Sequence, residues 1–305
     1  MPAVGKEEAM TYHILYNPLA GGGSGLARAQ ELARHLPGQA EQLTDLTTIR
    51  DYAAFFAAVP AGERVLLTGG DGTLNHFLNN TAGLTLPQEL WYAPTGTGND
   101  FWTDLGRKPA ESPLNIRPYL DRLPSVTVGG VTRRFLNGVG YGIDGYCCLE
   151  GDRLRDVSKK PVNYTAIAVK GLLFHYKPTS AAITVDGVQR TYDHVWLAPA
   201  MHGRCYGGGM MATPQQDRLA EPRQLSVMVF HSRSKLKALM AFPSIFKGEH
   251  VRRTDLVEVL TGRDITVEFD RPTPLQIDGE TIPDVTSYRA LAYSDVPAAA
   301  AACGA

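Results

Sequence analysis

The run Val65-Leu66-Leu67 leads directly into Thr68-Gly69-Gly70-Asp71-Gly72-Thr73-Leu74-Asn75. An apolar strand that breaks into glycines around one carboxylate and then turns into a helix presents bare backbone N–H groups where a phosphate can come close. Asp71 stands at the lip of that loop. A carboxylate repels phosphate, so it is useful there if it holds Mg²⁺ or takes a proton from an attacking hydroxyl. The chemistry indicated is phosphoryl transfer, and the competing reading is an ordinary strand-to-helix turn.

Two further loops weigh against the ordinary turn. Asn17-Pro18-Leu19-Ala20-Gly21-Gly22-Gly23-Ser24-Gly25 follows the strand-like Tyr12 to Tyr16 and precedes a helix-like stretch from Leu26 to Leu36. Pro94-Thr95-Gly96-Thr97-Gly98-Asn99-Asp100-Phe101 follows Leu90-Trp91-Tyr92-Ala93 and offers hydroxyls and free backbone donors. All three loops are expected at the carboxyl ends of neighbouring parallel strands, where open α/β sheets bind ligands.

These loops, together with Gln276-Ile277-Asp278-Gly279-Glu280 near the end of the chain, resemble the soluble bacterial diacylglycerol kinase family, whose relatives include sphingosine, ceramide and NAD kinases. In order and spacing the resemblance runs from about residue 12 to about residue 290. It implies ATP and Mg²⁺ as cofactors. It also implies that Asn17, Pro18, Gly21, Gly69, Gly70, Asp71, Gly72, Thr73, Asn75 and Thr97 surround the nucleotide, with Thr47, or else Thr44, a weaker contact. Asp71 is the expected Mg²⁺ holder and Glu280 the expected proton acceptor, with Asp278 and Asp71 left open for that second role. Two carboxylates meeting in the Asp278-Gly279-Glu280 turn would push one pKa up; the plain alternative is a hairpin turn.

The resemblance also implies that diacylglycerol is phosphorylated to phosphatidic acid. Other glycerolipids and sphingoid bases are the nearest alternatives, and an NAD kinase or a non-catalytic module on the same fold are the more distant ones. The sequence departs from the family at Pro214-Gln215-Gln216-Asp217-Arg218-Leu219-Ala220-Glu221-Pro222-Arg223, where an acidic turn with a glycine usually holds a second Mg²⁺. Asp217 and Glu221 are candidate ligands there, and Arg218 and Arg223 could equally pair with them. Asp144 reads as a helix cap in preference to a substrate contact.

The elements that must position these residues fall into two textures. Residues 11–124 alternate strand and helix patterns, which predicts an α/β nucleotide-binding domain with a parallel sheet. Residues 125–287 carry short strands separated by turn signals such as Gly129-Gly130 and Asp186-Gly187, which predicts a β-sandwich domain for the lipid substrate, with helices near 155–175 and 235–247. The resemblance implies that a last strand, about 288–295, returns to the first domain and that the active site lies in the cleft between the two. Residues 296–305 read as a disordered tail.

Composition bounds the partners. The chain has 305 residues, 44% hydrophobic and 20% charged, with 30 basic against 31 acidic residues and a net charge of -1. No global field favours nucleic acid. Arg153, Arg155, Lys159, Lys160, Lys235, Lys237, Lys247, Arg252 and Arg253 form local basic clusters that could meet anionic lipid. No stretch is long and apolar enough to span a bilayer or to act as a secretory signal, so the expectation is a cytoplasmic protein peripheral to the inner membrane face, with a homodimer allowed for. Neither the cysteines nor the histidines show zinc-ligand spacing.

Overall fold

The computed structural model describes residues 10–293, apart from 38, 86–88, 97, 109–110, 158–161 and 163. The chain divides into two compact units, residues 1–99 with 108–121, and residues 100–107 with 122–305.

The first unit is built on a sheet of five strands among the described residues: β1 (Thr11–Tyr16), β2 (Gln39–Asp45), β3 (Arg64–Gly69), β4 (Glu89–Pro94) and β5 (Leu114–Asn115), in the order β2-β1-β3-β4-β5. The first four are parallel and β5 runs antiparallel to β4. Both faces of the sheet are covered, which is why Val65-Leu66-Leu67 is apolar throughout instead of alternating. Tyr12, Ile14, Leu66 and Ala93 pack with Ala29 of the helix Gly25–His35. Tyr52, Phe56 and Phe77, from the helices Tyr52–Ala58 and Asp71–Asn80, meet largely edge to face. The chain moves outward from β1 to β2 on one side and from β3 to β4 on the other, so the strand order reverses between β1 and β3. Ligand crevices of open α/β sheets lie at that point, beyond the strands' carboxyl ends.

The second unit contains a sheet of ten strands among the described residues. They are β6 (Ser125–Val128), β7 (Val131–Arg134), β8 (Gly138–Tyr141), β9 (Thr179–Val185), β10 (Val188–Leu197), β11 (Ala200–Met201), β12 (Leu225–His231), β13 (Val257–Gly262), β14 (Asp264–Ile277) and β15 (Glu280–Leu291). The order is β7-β6-β15-β14-β8-β11-β12-β10-β9, β13 pairs with β12, and β14 also pairs with β9, so part of the sheet closes on itself. β14 makes this closure possible by changing partners. Residues 265–269 pair with β9, whereas 275–277 pair with β8. Pro272 lies at the changeover, where its missing N–H cannot serve a ladder.

One core cluster gathers Leu225, Val227 and Val229 of β12 with Ile265, Val267 and Leu275. A second gathers Met228 and Phe230 from the opposite face of β12 with Trp196, Leu172, Phe242 and Ile245. The sandwich-like β unit and the parallel α/β unit are thus present as expected. The expected return of a strand at about 288–295 to the first unit is not met: β15 pairs with β14 and β6 inside the second sheet. The reason is local, because a two-residue turn at Asp278-Gly279 leaves β15 no choice but to run back along β14. The expected boundary near 124 also shifts, since Asp100–Arg107 belongs to the second unit. The tail 296–305, Lys159 and Lys160 lie outside the described residues.

Candidate active site

In the first unit the loops after β1, β3 and β4 converge, and glycine is what lets them do so. A Cβ on Gly96 would stand 2.5 Å from the Gly70 Cα, and one on Gly70 would stand 2.6 Å from the Gly98 carbonyl. Two backbones therefore lie in direct contact, tied by hydrogen bonds from Thr95 N and Gly96 N to Gly69 O (2.8 and 2.9 Å) and from Asp71 N to Gly98 O (3.0 Å). The Tyr92 hydroxyl also donates to Gly69 O at 3.0 Å. The helix Asp71–Asn80 starts at this junction with Gly70 as its N-cap and no side-chain cap on its first amides. A first turn without a side-chain cap, carrying positive helix-dipole charge, favours an anion.

Asp71, in that first turn, is 8% exposed, and Thr73, Asn75 and Asn79 behind it are buried. Asn79 Nδ2 donates to the Asn75 carbonyl and side-chain oxygens at 3.0 and 3.2 Å. Asn17, at the end of β1, donates from Nδ2 to Thr73 Oγ1 at 3.2 Å and accepts from Leu19 N at 3.0 Å. The sequence-predicted residues Asn17, Gly69, Gly70, Asp71, Thr73 and Asn75 are thereby brought together. Gly21 follows with φ of 60° in a glycine turn whose backbone is left-handed through Gly23. Thr47 is exposed at the end of β2 and bonds Asp45, as a turn cap does. Thr97 lies outside the described residues.

Arg28 was missed by sequence reasoning. One turn into the helix after the first glycine loop, its guanidinium donates to the Thr95 carbonyl and borders Gly21, which places a cation between two of the loops. A basic residue one turn past a glycine loop was the available signal.

In the second unit, Asp278 and Gly279 both have positive φ (47° and 96°) and join β14 to β15 as a tight hairpin. The turn is a hairpin and a candidate site at once. The two carboxylates take opposite parts. Asp278 accepts from the amides of Leu136 (2.5 Å), Asn137 (2.8 Å) and Gly138 (3.1 Å), and its own amide donates to Gly138 O. A carboxylate whose lone pairs accept three backbone N–H groups is already engaged in fixing the turn. Gln276 Oε1 accepts from Gly279 N at 2.6 Å and steadies the turn. Glu280 reaches solvent, with its side chain 50% exposed and paired to Arg133 at 3.0 Å. Such a pair contributes under about 1 kcal/mol, so it does not fix the glutamate in place.

The motif Pro94 to Phe101 is divided between the units. Its Gly96 and Gly98 pack on Gly69-Gly70, whereas Asp100 accepts from Gly208 N (2.9 Å) and Gly209 N (2.6 Å) in the second unit. Asp104, one turn on, accepts from Arg204 N and Nε (both 2.9 Å) and from Arg218 Nε (2.6 Å). Arg218 is 4% exposed and lies over the Phe101 ring. It also donates to the Leu136 carbonyl (3.1 Å) and to Asn137 Oδ1 (3.2 Å), beside the amides that hold Asp278. His202 shares the Leu136 carbonyl through Nδ1. Burial, and then the Arg218 charge, push its pKa down to about 3, so the ring stays neutral.

The segment expected to contribute a metal ligand therefore contributes a buried guanidinium. Asp217 is exposed and accepts from Leu219 N, and Glu221 pairs with Arg122 and Arg223. Among the described residues no group of His, Cys, Asp and Glu side chains is placed to hold a metal ion on its own. Asp144 Oδ1 accepts from Gly145 N (2.9 Å) at the start of the helix Ile143–Val157, which is a cap-like role. Burial pushes this carboxyl up to about 6; its Oδ2 lacks a formed hydrogen bond, and the Tyr206 hydroxyl facing it offsets the shift only in part. Cys147, Cys148 and Cys205 are free thiols, and burial raises each of them out of the reactive range.

A parallel α/β unit with glycine loops around an uncapped helix start, followed by a partly closed β unit carrying a carboxylate hairpin, defines a phosphotransferase. Residues 11–122 match the diacylglycerol kinase catalytic domain, and residues 137–299 match the YegS C-terminal NAD kinase beta sandwich-like domain. The chain belongs to the bacterial diacylglycerol kinase-like family of lipid kinases, related to NAD kinases, and is a phosphotransferase with an alcohol acceptor. Among similar proteins, the diacylglycerol kinase of Mycobacterium tuberculosis is 28% identical over 281 residues, covering 88% of this chain and 86% of the relative. The diacylglycerol kinase of Bacillus subtilis is 25% identical over 280 residues, covering 88% of each. The crystal structure of a diacylglycerol kinase from Bacillus anthracis shares the fold with TM-score 0.54 at 19% identity, covering 94% of this chain and 97% of that one. Among the described residues no helix is long and apolar enough to cross a membrane.

Proposed function

We propose that this protein transfers the γ-phosphate of ATP to the free hydroxyl of diacylglycerol, giving phosphatidic acid and ADP. The observation that supports the nucleotide half is the backbone-to-backbone contact of Gly69-Gly70 with Gly96 and Gly98 at a helix start without a side-chain cap, an approach that a Cβ on Gly70 or Gly96 would block. The loops of Asn17 to Gly21 and of Gly69 to Thr73, with Asn75, Thr97 and Arg28, bind and orient the phosphates. Thr47 is a peripheral contact. Asp71 would supply a hard-oxygen ligand to Mg²⁺, which when bound neutralises charge on the transferring phosphoryl group. Glu280 takes the proton as the acceptor oxygen bonds to phosphorus and the bond to the ADP oxygen breaks. Asp278 is occupied by backbone amides, which leaves Glu280 the better base of the pair.

The test is label transfer from ATP to diacylglycerol, with NAD as a rival acceptor, run beside nucleotide affinity. Asp71→Asn is expected to lower turnover by at least about 100-fold with folding intact. Glu280→Gln is expected to lose transfer to a similar degree while ATP affinity stays within about twofold. Loss of ATP affinity in step with activity would make Glu280 a nucleotide or metal ligand. Preferential labelling of NAD would replace the lipid reading.

A further inference from the structure

The helical layer of the second unit leaves large apolar side chains in solvent. Phe174 is 75% exposed, and Leu236 and Met240 are each 64% exposed. Leu236 and Met240 are four residues apart on the helix Lys235–Ala241 and share a face, while Ala238 and Ala241 turn inward to the core. Phe174 belongs to the π-helical turn Gly171–His175. That turn adjoins the same helix, because the Lys235 ammonium donates to the Leu173 carbonyl at 3.4 Å. The charge around these side chains is one-sided. Residues 164–177 hold Lys170 and Lys177 and no acid, and residues 233–255 hold Arg233, Lys235, Lys237, Lys247, Arg252 and Arg253 against Glu249 and Asp255, the last of which pairs with Arg253. On a chain of net charge -1 this is segregation, not excess.

We propose that Phe174, Leu236 and Met240, with Lys235 and Lys237, form a face that docks on an anionic bilayer, the apolar side chains entering the headgroup layer and the lysines pairing with lipid phosphates. Apolar residues flanked by lysines on a short helix have the chemistry of an interfacial anchor. A second copy of the chain fits less well, since a two-fold contact would set this positive charge against itself. The inference rests on the lipid-kinase reading, whose acceptor resides in bilayers.

The full chain, without nucleotide, is mixed with phosphatidylcholine vesicles that lack or contain about 30 mol % phosphatidylglycerol, and bound protein is read by co-sedimentation. The parent is compared with a Phe174→Ser, Leu236→Ser, Met240→Ser triple variant and with a Lys235→Glu, Lys237→Glu double variant. The parent is expected to bind the anionic vesicles, and both variants to bind them at least about tenfold more weakly. Transfer to a short-chain, monomeric diacylglycerol should stay within about twofold of the parent in both. Parent protein that ignores anionic vesicles, or variants that bind like the parent, would overturn the proposal. So would loss of short-chain activity in both variants, or conversion of a parental dimer to monomer by the triple variant with vesicle binding unchanged. A parent that binds vesicles yet phosphorylates no diacylglycerol in any form leaves the docking face standing and removes the kinase reading.

Discussion

Asp278 and Glu280 stand two residues apart in one turn, and their surroundings assign them different work. Asp278→Asn places a side-chain amide, or at best a neutral oxygen, against the amides of Leu136–Gly138, and should cost about 2–3 kcal/mol in denaturant unfolding. Glu280→Gln removes only an exposed ion pair and should change stability by less than about 1 kcal/mol, so any loss of activity there is chemical. Asp144 supplies a pH test. Its folded pKa, pushed up to about 6, lies above that of the unfolded chain, so the fold holds a proton that the unfolded chain releases near pH 4. The resulting stabilisation is complete below about pH 4 and is lost as pH rises through about 6, a change on the order of 3 kcal/mol. Asp144→Asn, which never ionises, should therefore gain stability relative to the parent between pH 4.5 and pH 7.5, read by denaturant unfolding at the two values. An equal difference at both would show that the carboxyl is not buried as described.

At the scale of elements, the glycine loops act by steric contact. Gly70→Ala sets a methyl 2.6 Å from the Gly98 carbonyl, so the two loops must part. ATP affinity should fall by at least about tenfold and stability by about 1–3 kcal/mol, measured by calorimetry and by unfolding. Arg218 acts by charge. Arg218→Met removes one of the two guanidinium partners of buried Asp104 and leaves Arg204, with an expected loss of about 1.5–3 kcal/mol, and a second change, Asp104→Asn, should restore part of it. The glycine loops were legible in the sequence because their chemistry is local: a strand, a run of glycines, then a helix. The Arg218 network was not legible, because its partners Asp104, Leu136 and Asn137 come from segments far apart in sequence. β14 was only partly legible, since Pro272 and Pro274 interrupt its apolar alternation and make one strand read as a strand followed by an isolated motif. Arg28, like Arg218, needed the fold to bring Thr95 beside it.

Across the whole molecule, the division into an α/β unit and a β unit came from the change in sequence texture near residue 124, while the course of the last strand did not. The resemblance implied a return to the first unit, and the Asp278-Gly279 hairpin overrode it. The eight residues Asp100–Arg107 precede that change of texture, yet they fold with the β unit. Their buried members Asp100, Phe101 and Asp104 find Gly208, Gly209, Arg204 and Arg218 only in the later part of the chain. The stretch inherited as one catalytic domain is consequently not a stretch that can be excised. A fragment ending at residue 122 would lack the Gly208, Gly209, Arg204 and Arg218 contacts of Asp100, Phe101 and Asp104, and it should aggregate or lose its helix at 100–104 by circular dichroism. Gene fusion or shuffling at the apparent domain border would meet the same obstacle, so the two halves are bound to travel through evolution as a single heritable piece.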